Sequence, residues 1–144
     1  HGRIGLSKSS EERLKAMLRG ITKRSRGVSL EQILHELEAV LRGWLQCYRH
    51  VSMKSKMERL DGWLRHRLKC FRLKQCKRTI GIVRFLHNLG VEETLCWRTA
   101  LSGKGWWRLS NSPALNIGMN NKWFSEQGYF SLSENYNTVF RKLL

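Results

Sequence analysis

Between Leu30 and Tyr48 the apolar residues return at three- and four-residue steps: Leu30, Ile33, Leu34, Leu37, Leu41, Trp44, Leu45 and Tyr48. Only an α-helix brings that spacing onto one face, since a strand would alternate with period two. An apolar stripe of this length must be buried against something. The chain supplies partners of the same kind on both sides. Leu14, Met17, Leu18 and Ile21 repeat the pattern as far as about Thr22, after Ser9 and Glu12, which are spaced as a capping box. From about Ser52 to Lys77, Met53, Met57, Leu60, Leu64, Leu68 and Phe71 repeat it again. The connection 23-KRSRGVS-29 reads as a basic turn: Gly27 permits positive φ, and Ser29 with Gln32 boxes the next helix. A single proline in 144 residues leaves the helices uninterrupted. The expected fold class is all-α, a three-helix bundle over residues 1–78 followed by a smaller helical appendage over residues 79–144.

The appendage is read from weaker signals. Ile80, Val83, Leu86 and Leu89 predict a short helix stopped by Gly90, and Glu92 and Glu93 suit the start of another that runs to Ser102. The stretch 103-GKGWWRLSNS-112 reads as a loop. Ser112 is expected to cap a helix with Pro113 at its first position, Leu115, Met119 and Trp123 inward and Gly128 at its end. Ser131 and Glu134 box a last helix with Leu132, Tyr136, Val139 and Phe140 inward.

Charge sets the partner class. The net charge is +16, and it is uneven: residues 1–78 hold 20 Lys/Arg against 7 Asp/Glu, residues 79–144 only 7 against 4. Self-repulsion on that scale points to a polyanion. The third helix is the extreme case. Every charged residue from Arg65 to Arg78 is basic, although like charges at i,i+4 cost about 0.2–0.5 kcal/mol each. Arg65, Lys69 and Arg72 fall together, with Arg59, His66 and Lys77 on a neighbouring face, and Arg67 and Lys74 at the rim of the apolar stripe. Such a rod, packed on one side, is expected to keep an open cationic side that grips sugar–phosphate chains. The same sign recurs elsewhere, so the candidate RNA contacts are Lys23, Arg24, Arg26, Arg42, Arg49, Lys54, Lys56, Arg65, Lys69, Arg72, Lys74, Lys77 and Arg78. Trp44, Tyr48, Trp63 and Phe71 lie on or beside apolar stripes and read as core. Trp106 and Trp107 cannot both face inward, so one is expected to anchor the loop while the other stacks on a base. The alternative, with both rings packed on the small helices, stays open.

No catalytic set is visible. Asp61 is the only aspartate, which excludes a paired-aspartate metal site within the chain. His35, His50, His66 and His87 lack an evident carboxylate or cysteine partner and read as surface or rim residues. Cys47, Cys70, Cys76 and Cys96 lack metal-ligand spacing and are expected as free thiols in a reducing cytosol. No cofactor and no metal is expected. No apolar run reaches the ~20 residues a membrane span needs, and no signal peptide is visible. The start His1-Gly2 suggests a piece of a larger polypeptide.

Three blocks carry a resemblance: 23-KRSRGVSLEQILHELEAVLRGWLQCYRH-50, 60-LDGWLRHRLKCFRLKQCKR-78 and 103-GKGWWRLSNSPALN-116. They are similar, in order, to the C-terminal part of group II intron reverse transcriptase/maturases. The first two resemble domain X, the polymerase thumb. The third, with 120-NNKWFSEQGYFSL-132, resembles the DNA-binding segment that follows it. Gln46, Leu73 and Cys76 depart from the family pattern, the last two standing where tryptophans are frequent. The resemblance does not extend to fingers or palm. It implies a nucleic-acid-binding fragment rather than an enzyme, from a parent that is an RNA-directed DNA polymerase. The implied partners are group II intron RNA, the template–primer duplex and target DNA, and the fingers and palm of the same polypeptide. Lys104, Trp106, Trp107 and Arg108 are the implied DNA contacts. The implied location is the bacterial cytoplasm or an organelle of bacterial descent. The competing expectation is a structural module that docks on the palm or on an acidic protein and has little RNA affinity. A membrane-surface role for the basic helix is weaker, because a bundle buries its stripe.

Overall fold

The computed structural model describes residues 8–48 and 54–136. Among them there are helices and no strands. Helix α1 spans Lys8–Ile21, α2 Leu30–Tyr48 and α3 Lys54–Cys76, with a 3₁₀ turn, Arg24–Arg26, in the first connection. Arg49, His50, Met53, Val139 and Phe140 fall outside the described residues, and so does the side chain of Tyr48.

The three apolar stripes meet as their spacing predicts. Leu18, Ile33, Leu37, Leu41, Met57, Leu64 and Leu68 are fully buried, each contributing roughly 1.5–3 kcal/mol of burial. The turn after α1 is closed as expected: Gly27 has φ +70°, and the Ser29 hydroxyl accepts the Gln32 amide at 3.1 Å. Two details differ. Helix α1 already includes Ser9, whose side chain lies outside the described residues. Met17 is 54% exposed rather than inward, because it faces an open groove on the outer side of α1 and α2.

The second stretch forms α4 (Thr79–Asn88), α5 (Glu93–Ala100), α6 (Trp106–Leu109), α7 (Pro113–Gly118) and α8 (Asn121–Gln127), then a helical turn from 132. Gly90, at φ +94°, follows α4, and the Glu92 carboxylate caps α5 by accepting the amides of Thr94 and Leu95. Ile80 points outward, and Ile82 takes its place in the core. The expected loop at 103–112 contains the one-turn helix α6. The helix expected from Pro113 to Gly128 is two helices: Asn120 interrupts it and caps α8 by accepting the Trp123 amide at 2.8 Å. Ser112 precedes Pro113 as expected, but its hydroxyl donates backward to the Leu109 carbonyl instead of capping α7.

Helix α3 is the axis of the molecule. Its apolar stripe faces α1 and α2, yet Asp61, Cys70 and Leu73, at or beyond the stripe's edge, are also nearly or fully buried. Helices α4 and α6 and the segment 129–133 cover those sides. Core residues from both stretches consequently belong to one contiguous apolar cluster, from Leu14 to Tyr136.

Candidate nucleic-acid interface

Three cations of α3, Arg65, Lys69 and Arg72, lie under the second stretch. The Arg65 guanidinium rests over the Tyr129 ring, 5.4 Å from its centroid, and reaches the Ser131 hydroxyl at 3.4 Å. Lys69 donates to the Asn116 side-chain oxygen at 2.7 Å, and its burial, with Arg65 nearby, lowers its pKa. Arg72 stacks over Phe85 at 4.2 Å and donates toward the Cys76 thiol. All three side chains are half-buried, which corrects the expectation of an open face along this row. The physical reason is that rings, a hydroxyl and an amide can cover a guanidinium or ammonium group without neutralising it. None of these direct contacts is a carboxylate, although the Ser131 hydroxyl beneath Arg65 also donates to Asp61, so Lys69 and Arg72 carry most of the row's positive field.

The remaining basic candidates divide in two. Arg26 makes a two-pronged ion pair with Glu36, at 2.9 and 3.0 Å, which raises the arginine pKa and lowers that of the carboxylate. Arg42 pairs with Glu38 and lies over Phe130, and Lys56 pairs with Glu11 at 3.5 Å. Lys23, Arg24, Lys54, Lys74, Lys77 and Arg78 are exposed. Five of these collect at one end of the molecule. The Gln75 side chain donates to the Val28 carbonyl, and Arg24 reaches toward Cys70, so the last turns of α3 lie beside the Lys23–Gly27 turn. That end therefore carries Lys23, Arg24, Lys74, Lys77 and Arg78 together, a cluster that sequence spacing alone could not assemble.

The tryptophan pair is resolved by α6. Trp106 is half-buried against the core, while Trp107 is 45% exposed. The Trp107 ring stacks on His66 with centroids 3.5 Å apart and planes 22° apart, and its carbonyl lies 2.6 Å from the histidine Nε2. Lys104 and Arg108 are exposed beside it.

Two constellations escaped the sequence reading. Lys15, Arg19 and Arg67 surround the Trp63 ring at 5.4, 5.4 and 5.5 Å. Only the crossing of α1 over α3 creates that arrangement, and periodicity does not fix a crossing. The second is Asp61, which is fully buried and accepts five hydrogen bonds of 2.7–2.9 Å: from Tyr129, from the hydroxyls of Ser131 and Ser133, and from the amides of Leu132 and Ser133. A signal for it was present, because the one aspartate of the chain stands between Leu60 and Leu64 at the edge of an apolar stripe.

The four cysteines are free thiols, and no group of three potential metal ligands occurs among the described residues. No described helix is long and apolar enough to cross a membrane. A search among curated proteins finds no match. The family model described as "Group II intron, maturase-specific domain" matches residues 11–87, a span from α1 through nearly all of α4 and more than half of the sequence. The all-α bundle with its cationic axis is therefore that of a group II intron maturase-specific domain, and the chain belongs to this family.

Proposed function

We propose that this chain binds structured RNA, the intron RNA on which its family acts, through the cationic end formed by Lys23, Arg24, Lys74, Lys77 and Arg78. The observation that carries the reading is the gathering of these five exposed side chains at one end of a rigid helix pair. Backbone phosphates ask for cations on a rigid frame, and a duplex held this way needs no base readout. The half-buried row Arg65, Lys69 and Arg72 adds long-range attraction behind the contact surface. Lys104 and Arg108 extend the cationic surface toward a template–primer duplex or target DNA. With a charge of only +3 over residues 79–144, that stretch acts together with the rest and not alone. In a parent reverse transcriptase the bundle occupies the place of the thumb.

Filter binding of a structured intron RNA across salt concentrations tests this. With ~6 phosphate contacts, log K is expected to fall by about five per tenfold rise in salt. Replacing Lys74, Lys77 and Arg78 together by glutamine should cut that slope by about three while the helical signal stays the same. An unchanged slope removes this end as the contact surface. Reversing Arg65, Lys69 and Arg72 is a poorer test, since it also disrupts their packing on Tyr129, Asn116 and Phe85.

A second role is supported by the groove between α1 and α2, about 520 Å³ and lined by Leu14, Met17, Val40, Trp44 and Cys47. Such an apolar surface suits docking onto the polymerase palm of the same polypeptide. Size-exclusion chromatography with the palm fragment should give a 1:1 complex that Met17→Glu abolishes.

A further inference from the structure

A small cleft opens where α1, the 3₁₀ turn, α3 and α6 meet. It encloses about 90 Å³ and is lined by Thr22, Arg24, Arg67, Cys70 and Trp107. Arg67 is fixed in place: its Nε donates to the Thr22 hydroxyl at 2.7 Å and one terminal nitrogen donates to the Arg19 carbonyl at 3.3 Å. Thr22 is itself oriented, because its hydroxyl donates to the Leu18 carbonyl at 2.7 Å. The other terminal nitrogen of Arg67 keeps its donors for a ligand. Arg24 forms the exposed rim, with one 3.7 Å contact to the Cys70 thiol. Burial lowers the Arg67 pKa, and Arg19 and Arg24 lower it further, so positive charges crowd here without a carboxylate among their contacts. Trp107 closes one wall and is held there by its stack on His66.

Two fixed or poised guanidinium groups beside an accessible indole make a site for an anion attached to a flat ring. The cleft admits a phosphate group but not a base pair, so a duplex can only pass over its mouth. We propose that this cleft holds the phosphate of one unpaired nucleotide of the bound RNA on Arg24 and Arg67, with the sugar at its mouth and the base against the exposed part of Trp107. The inference rests on the RNA-binding reading above and adds a preference that backbone contacts alone do not give: bulged or flipped-out nucleotides over continuous helix.

The test compares two RNA hairpins with the full chain. One is completely paired, and the other carries a single 2-aminopurine bulge. The bulged hairpin is expected to bind about tenfold tighter, the scale of one base–aromatic stack, and its 2-aminopurine fluorescence should be quenched on binding. Trp107→Leu should erase both the difference between the hairpins and the quenching, whereas Trp107→Phe, which keeps a ring, should restore most of each. An unchanged helical signal verifies that both variants are folded. Equal affinity for the two hairpins, or an unquenched bulge, overturns the cleft and leaves RNA binding by the cationic end intact. Failure to bind either hairpin overturns both.

Discussion

The Asp61 carboxylate is fully buried with five donors pointed at it, and Leu60 and Leu64 beside it on α3 are buried as well. Removing the acceptor strands those donors. Asp61→Ala is expected to destabilise the fold by at least about 3 kcal/mol in urea unfolding, because each orphaned buried donor costs about 1–3 kcal/mol. Asp61→Asn keeps the shape but turns an amide donor toward other donors, so it should restore only part of the loss. Tyr129 belongs to the same group. Burial, then the negative charge of Asp61 and the hydrogen bond to it, hold the Tyr129 proton well past the ordinary range. The unfolded chain gives up that proton near pH 10 while the folded chain keeps it. The contribution is therefore intact below about pH 10 and is lost as pH rises further. Alkaline unfolding should begin earlier in the wild type than in Tyr129→Phe once both are referred to neutral pH. At this scale the sequence was only partly legible. Glu92 as a helix cap could be read from local chemistry alone, whereas the partners of Asp61 lie some 70 positions away and depend on how the chain returns.

Helix α3 ends on a residue that strains it. Lys77 is the one described non-glycine residue with positive φ, at +65°, just after the last helical residue. Glycine is the usual occupant of that position because a Cβ there crowds the backbone. Lys77→Gly is expected to stabilise the protein by roughly 1 kcal/mol in thermal or urea unfolding while weakening RNA binding through the lost cation. Four residues on, α4 starts so close behind α3 that a Cβ on Gly81 would run into the Cys76 carbonyl oxygen. Gly81→Ala should therefore destabilise by about 1–3 kcal/mol, the cost of forcing atoms into a filled site. The long elements were legible because apolar stripes of 19 and 23 residues average over local noise. The short ones were not. Six- and seven-residue helices carry too few turns for periodicity, so the break at Asn120 was set by one side-chain cap and the turn at Trp106 by packing on α3.

Across the whole molecule, charge and core follow different divisions. The basic excess is concentrated before residue 79, but the apolar cluster runs through both stretches, and α3 lies at its centre. A chain with one core should lose its structure in one step. Fluorescence of Trp63, in the first stretch, and Trp123, in the second, each observed in variants lacking the other indoles, is expected to give coincident urea transitions. The resemblance to maturases was visible in the sequence because its motifs are local, whereas the covering of the Arg65–Lys69–Arg72 row was invisible because it needs the return of the chain across α3. The family match stops at residue 87, while the segment that satisfies Asp61 lies at 129–133. A truncation drawn at the edge of the family match therefore strips α6 and the segment 129–133 from α3, discards all five donors to Asp61 and bares the apolar side chains that packed against the second stretch. The physical unit that folds is longer than the unit that sequence comparison delimits, and shortening the protein at its apparent boundary should yield aggregate in place of a smaller soluble domain.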